Sequence, residues 1–510
     1  MRWRHVRNAR LRNRSTGRAS VAKALAALAA CVLAVSIAVI CVSGAALAAA
    51  PSQPDPRFAE FSRYVINGAT VFFRRVEVDK AGIVAVMRAG TGNQRPDEAH
   101  CAHMAEHMVL AYPNKSGTSV VSAAGGFMSG TQYNVQGGTL ADSTGFIISV
   151  ANAEVPDMLS LLFDSMFRTT LREDDDFVAE TKRARRELDN ITTKPVHALA
   201  NKLRVNAYLG TPYEERFFET PLQAVTAEQI RAFMEREYTP ARLILAIVAD
   251  IDEQIALTAV ETGLAGLEPG QGPAMQEIRL PSIEPEALEL PKVDKPSIGI
   301  AVGVDGLVER DLVPLGRLFS ALRKRLHLSE SVAGFRFNPD FVSSFSAQDT
   351  EVVCLEYSSA VASGDADEVM DAVPQVLSAV RDVLLTLAEE GPNRGDLSEL
   401  VTPGQKQMQI ASSQAFTKAC AEAMGVANLA ALGDTAGSTS ETLGSQGTEA
   451  ETLAEMKAVA AKYFPEAKLT AVYTIQASPS GVSTVAMVAV VLIVAISGYV
   501  FYRRGSAASE

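Results

Sequence analysis

At 510 residues and 47% apolar composition the chain has room for several packed cores, and with only 6% aromatics those cores must rest on Ala, Val, Leu and Ile. A net charge of −12 would be repelled by phosphate backbones and speaks against nucleic-acid binding. The five cysteines, Cys31, Cys41, Cys101, Cys354 and Cys420, form neither a disulfide framework nor a CxxC metal site.

The chain opens with a basic, acid-free stretch from Arg2 to Lys23, followed by an apolar run from Ala24 to Ala48-Ala49-Ala50-Pro51. That order predicts a signal peptide or signal anchor over 1–50. Strands are expected at Thr70–Arg74 and Ile83–Met87, a helix at Pro96–Leu110, a strand at Phe146–Val150, and helices at Val155–Phe167 and Asp175–Asn190. The amphipathic helix from Thr226 ends at Tyr238-Thr-Pro240 and leads into the apolar strand Leu243–Val248. Residues 265–296, rich in Pro, Gly and Glu, keep neither period and read as a linker.

Beyond it, strands are expected at Ile298–Val304 and Glu351–Tyr357, and helices at Asp311–Leu328 and Asp365–Glu390. Gly433–Thr448 reads as a loop. The helix from Thr452 again ends in a Tyr-x-Pro break, Tyr463-Phe-Pro465, before the strand Leu469–Ile475. The repeat suggests a duplicated unit. The expected class is α+β: one αβ unit over 58–264, a second over 297–476, and the linker between. A run from Val485 to Phe501, closed by Arg503-Arg504, predicts a transmembrane helix at 484–502 and a cytoplasmic tail at 503–510. Both basic flanks then lie in the cytoplasm and the body outside it, most simply at a bacterial inner membrane facing the periplasm, with a mitochondrial setting the alternative.

Three of the six histidines fall in His100-Cys-Ala-His103-Met-Ala-Glu106-His107. On a helix, positions i, i+3 and i+4 share a face, so His103, Glu106 and His107 converge. Two imidazoles on adjacent turns can hold one zinc ion, and the glutamate between them can act as general base for a water. His-x-x-Glu-His is a zinc motif in its own right. A catalytic zinc wants a third protein ligand, and the 175–190 helix offers Glu180 and Glu187, seven apart on one face. Taken alone, either acid serves equally well as a solvated carboxylate or a partner for Arg183 and Arg186.

The motif set resembles the pitrilysin/insulinase family of metallopeptidases, which includes the mitochondrial processing peptidases. The shared features are Asn67-Gly68, Met87-Arg88-Ala89-Gly90, His103-Met-Ala-Glu106-His107, Gly125-Gly126, the Glu180/Glu187 pair, Gly210-Thr-Pro-Tyr213, Thr226-Ala-Glu-Gln-Ile-Arg and Tyr238-Thr-Pro240. The resemblance implies zinc on His103, His107 and Glu187, Glu106 as base, and Glu180 as a supporting carboxylate. It implies two homologous αβ domains that must face a second such pair, hence a homodimer or a heterodimer with a related chain.

The resemblance also implies substrate contacts at Ser129 and Gly130, which stand where the family has an Asn-Ala pair on an edge strand, and at Arg323 in the second half. The family's second-half Tyr is replaced here by Glu330. The implied activity is hydrolysis of unfolded or extended peptides at the outer face of a membrane. A non-catalytic subunit of a related peptidase is the alternative, favoured by Ser129 and Glu330. A thiol enzyme built on Cys101 is disfavoured, because a small buried cysteine is the ordinary case.

Overall fold

The computed structural model describes residues 60–476 except 130–131, 193–194, 215–221, 223–224, 275–276, 291–292, 294, 309–310, 342, 360–365, 398–416 and 432–447. The signal segment, the 484–502 helix, the cytoplasmic tail and the 433–447 part of the expected loop lie outside the described residues. Among the described residues no helix is long and apolar enough to cross a membrane.

The first sheet contains β1 (Ser62–Ile66), β2 (Ala69–Arg75), β3 (Lys80–Met87), β6 (Val135–Thr139), β7 (Thr144–Ala151) and β8 (Leu243–Ala249), in the order β1-β2-β8-β3-β7-β6. A detached ribbon, β4 (Met128–Ser129) with β5 (Gln132–Tyr133), precedes β6. The helices of this half are α1 (Cys101–Ala111), α2 (Val155–Phe167), α3 (Asp175–Thr192), α4 (Pro195–Ala207), α5 (Ala227–Glu237) and α6 (Glu253–Leu264). β8 reads Leu-Ile-Leu-Ala-Ile-Val-Ala with every residue buried, the pattern of a strand covered on both faces.

The second sheet contains β9 (Glu286–Leu290), β10 (Ser297–Val304), β11 (Phe335–Phe337), β12 (Ser343–Ala347), β13 (Thr350–Ser359) and β14 (Lys468–Gln476). Its order is β11-β13-β10-β14-β9, with β12 also on β13. Its helices are α7 (Leu312–Leu328), α8 (Ala366–Glu389), α9 (Lys418–Ala431) and α10 (Glu449–Tyr463).

The two sheets repeat one plan. In the first, β2 runs parallel to β8, β8 antiparallel to β3, and β3 antiparallel to β7. In the second, β9 runs parallel to β14, β14 antiparallel to β10, and β10 antiparallel to β13. Part of the segment read as a linker is therefore a strand, β9, the counterpart of β2. Glu-Ala-Leu-Glu-Leu sits at a sheet edge between prolines, and this edge position is why its burial is too patchy to read as alternation. Lys202 and Asn206 on α4 pin it through Glu286, at 2.8 and 2.9 Å.

Each half also lends the other a helix. α4 packs across β9, β10, β13 and β14, with Leu199, Leu203 and Ala207 buried against Ala301, Val352 and Val472. α9 packs across β3, β7 and β8, with Ala419, Ala423, Val426 and Ala427 buried against Phe72, Val84, Val86 and Val248. Glycines in the central strands make room for both: a Cβ on Gly82 would fall 2.6 Å from the Ala419 carbonyl oxygen, and one on Gly299 would fall 2.7 Å from Leu203 Cδ1. Gly82→Ala is expected to lower stability by roughly 1–3 kcal/mol, because the clash is with backbone that no rotamer relieves. Gly145→Ala, whose Cβ meets nothing nearer than 4.0 Å, is expected to melt like the wild type in the same thermal scan.

A polar contact also joins the halves. Asp142, in the turn between β6 and β7, accepts the Gln348 backbone N–H at 2.6 Å and a hydrogen bond from the Tyr213 hydroxyl. Burial lifts its carboxyl to about 6 despite both donors. Because the folded-state value lies above the unfolded one, Asp142 favours folding fully at low pH, and that contribution is lost as pH rises through about 4 to 6. Asp142→Asn, which keeps an acceptor for both donors, is expected to raise the melting temperature at pH 7.5 by about 2–4 °C. The gain should shrink as the scans move toward pH 5.

Candidate metal centre

The helix that carries the motif begins later than its sequence suggests. Pro96-Asp97-Glu98 forms a turn, His100 caps α1 in a left-handed conformation at φ 70°, and the helix starts at Cys101. The reason is Glu98, which is 4% exposed and receives Arg95 N–H at 2.9 Å and both terminal nitrogens of Arg236 at 2.7 and 2.6 Å. Burial opposes its charge, but the Arg236 hydrogen bonds win and hold the carboxyl below its usual range. Arg236 continues to Glu237 at 2.8 Å, and Glu237 to Arg242 at 2.6 Å, so α5 is clamped to the start of α1. Cys101, Ala102, Met104, Ala105, Met108 and Val109 are essentially without exposure, which fixes the roll of α1.

α3 lies against α1 and brings its two acids to the histidines. His103 Nε2 and His107 Nε2 are 3.2 Å apart, and the Glu187 carboxylate lies 3.9 Å from the first and 3.5 Å from the second. Four ligands around zinc at about 2.0–2.1 Å stand about 3.3–3.4 Å from one another. A different Glu187 oxygen is nearest each imidazole, and one ligand atom from each residue lies within 4.8 Å of the others. That spacing is wider than a zinc's tetrahedral face, but the donor set is one that zinc accepts at catalytic sites. Glu187 is 45% exposed, so the face opens to solvent.

Behind this face, His107 Nδ1 points at Glu180 Oε2 at 3.5 Å, and Arg183 Nε donates to the same oxygen at 2.7 Å. A carboxylate on the far nitrogen fixes the tautomer that leaves Nε2 free to ligate. Arg183 also reaches within 3.2 Å of Nδ1, and its guanidinium sits 4.2 Å from the centre of the Phe127 ring. Glu106 is 8% exposed, and its Oε2 accepts from the Thr139 hydroxyl at 2.8 Å.

The charges respond to burial in opposite ways. Burial, with His107 as a neighbour, pulls His103 down to about 3. Burial also disfavours charge on His107, but hydrogen bonds to Glu180 and Glu187 and the charge of Glu106 carry it up to about 9. Glu187, despite burial, is held to about 2 by its hydrogen bond to His107 and the charges of both imidazoles. Burial lifts Glu106 to about 7, against the charge of His107. A carboxylate poised near neutrality suits a general base.

The structure thus brings together His103, His107, Glu187, Glu180 and Glu106. Ser129 lies exposed in the detached ribbon, and Gly130 lies outside the described residues. The edge strand β6, Val135–Thr139, runs beside the centre against α1. Arg323, on α7, donates to the Pro339 carbonyl at 2.9 Å within its own half, and Glu330 is exposed beyond the end of α7.

Thr139 and Gly137 were missed from sequence. Gly137-Gly138-Thr139 before the turn Ala141-Asp142-Ser143, with Thr144 opening the next strand, was the signal that a hairpin edge lay there.

Comparison with known families matches residues 74–220 to the insulinase (peptidase family M16) model and 224–402 to the peptidase M16 inactive domain. A protease from Helicobacter pylori superposes with a TM-score of 0.58 at 17% identity, covering 81% of this chain and 99% of that one. The first half of the periplasmic protease PqqL from Escherichia coli gives 0.52 at 14%, covering 86% and 97%. Whole PqqL gives 0.53 at 15%, covering 86% of this chain but 50% of that one. At these identities the structures speak for the fold. No curated protein sequence matches. With two consecutive family models spanning 74–402 and a shared two-sheet plan, the chain belongs to the insulinase (M16) family of peptidases.

Proposed function

We propose that this chain is a zinc-dependent endopeptidase that hydrolyses unfolded or extended peptides. The observation that carries the reading is the triangle of His103 Nε2, His107 Nε2 and the Glu187 carboxylate, with the Glu106 carboxylate on the same helix. Zinc held there would supply a Lewis acid that polarises a peptide carbonyl and acidifies a water. Glu106 takes the proton of the attacking water and delivers it to the leaving amine. Glu180, hydrogen-bonded by Arg183, keeps His107 turned toward the centre. The outer edge of β6 offers backbone N–H and C=O groups to an extended peptide, which explains a preference for unfolded substrates.

Two further parts of the proposal concern place and partner. The segments at 1–50 and 484–502 support a membrane-anchored protein whose body lies outside the cytoplasm. Since the chain spans half of PqqL, a second copy or a related chain would complete the enclosure around the substrate.

A second reading, a scaffold subunit, is favoured by Glu330 in the place of the family's Tyr. The two readings separate on turnover. Purified full chain is expected to hold about one zinc and to cleave a peptide library, with activity lost to a chelator and restored by zinc. Glu106→Gln should keep the metal and lose turnover at least about 100-fold. Glu187→Gln should lose metal, and Glu180→Gln should weaken metal affinity about 10–100-fold. Stoichiometric zinc with no cleavage of any peptide would hand the case to the scaffold reading.

A further inference from the structure

We infer that Thr139 is the positioning residue for Glu106, holding its carboxylate in place against β6 through one oxygen. The inference deepens the peptidase reading and rests on Glu106 being its base.

Glu106 lies between α1 and β6, and β6 treats its two oxygens differently. Oε2 accepts the Thr139 hydroxyl at 2.8 Å. Oε1 lies over Gly137, where a Cβ would come within 2.8 Å of Glu106 Cγ and Cδ. The missing side chain at 137 is what lets the carboxylate lie flat against the strand. Thr139 itself is set by rigid parts. It pairs with Thr144 across the β6–β7 hairpin, and the turn closes with Leu140 N–H on the Ser143 carbonyl at 2.8 Å. The carbonyls of Leu140 and Ala141 then accept from Thr91 and Gly92 N–H at 2.8 and 2.9 Å, tying the turn to the segment that follows β3.

A glutamate side chain has several rotatable bonds, and this one lies near the charges of His107 and Arg183. Without the Thr139 hydroxyl, those charges are free to draw the carboxylate out of line. With it, Oε2 is fixed on β6, and the carboxylate keeps its place between the strand and α1. The β-branched methyl of threonine restricts the hydroxyl to few rotamers.

The test compares Thr139→Val, Thr139→Ser and Gly137→Ala in the full chain, by peptide kinetics, zinc content, thermal melting and crystal structures. Thr139→Val is expected to lower kcat about 10- to 100-fold, the scale of a hydrogen bond to a charged group, with KM, zinc content and melting little changed. Thr139→Ser should restore most of kcat, and Gly137→Ala, which pushes the carboxylate away while leaving the hydroxyl, should lose it again.

In the crystal structures, Glu106 should leave its place in the Val variant and keep it in the Ser variant. Wild-type kcat in Thr139→Val, or an unmoved Glu106 in its structure, overturns the inference. A wild type that holds zinc and cuts nothing defeats the peptidase reading instead, and the position of Glu106 in the variant structures still decides this one.

Discussion

The structure depends on an exchange: each sheet is covered on one face by a helix from the other half of the chain. The small residues Ala419, Ala423 and Ala427 allow α9 to approach the first sheet closely, and Gly82 receives its backbone. Leu199 and Leu203 of α4 sit in the space left by Gly299 on the second sheet. Burial of this kind is reciprocal, so neither half can complete its core alone. A cut within 265–296 would therefore leave two bare sheet faces rather than two finished domains.

The candidate metal centre is a problem in charge balance. Glu106, Glu180 and Glu187 stand against the guanidinium of Arg183 around two imidazoles, His107 buried and His103 partly exposed. With the imidazoles neutral, the cluster carries an excess of negative charge at a face that opens to solvent on the Glu187 side. Protons and a divalent cation compete for that excess. Glu106 rises to about 7 through burial. The rise of His107 to about 9, driven against burial by hydrogen bonds to Glu180 and Glu187, instead expresses the same imbalance that makes the cluster attractive to a cation. Arg183 moderates it, and the Phe127 ring beneath the guanidinium holds it there without adding a competing acceptor.

How much of this was legible in the sequence follows from how local each signal is. The strands at β2, β3, β7, β8, β10, β13 and β14 announce themselves because they are continuous apolar runs. His103, Glu106 and His107 announce themselves because helical periodicity alone brings them together. Glu187 needed the family resemblance, since two turns of helix bearing acids look the same whether they face solvent or a metal. β9 was lost because it is a short edge strand among prolines, and α4 and α9 were lost because their partners lie far away in the chain. The start of α1 was set by Glu98 and Arg236, a contact between residues 138 apart.

The exchange and the charge cluster meet at α3. That helix carries Glu180 and Glu187 over α1, and the chain after it enters α4, which is seated on the second sheet. The position of the third donor is thus referenced at one end to the motif helix and at the other to a half that bears no zinc motif of its own. Asp142 repeats the arrangement on the opposite side: the turn that follows Thr139 is held by the Gln348 backbone of the second half. Both walls of the centre, the acid-bearing helix and the strand that steadies Glu106, are therefore braced from the same direction. The second half thus bears on the candidate centre by seating the elements that flank it.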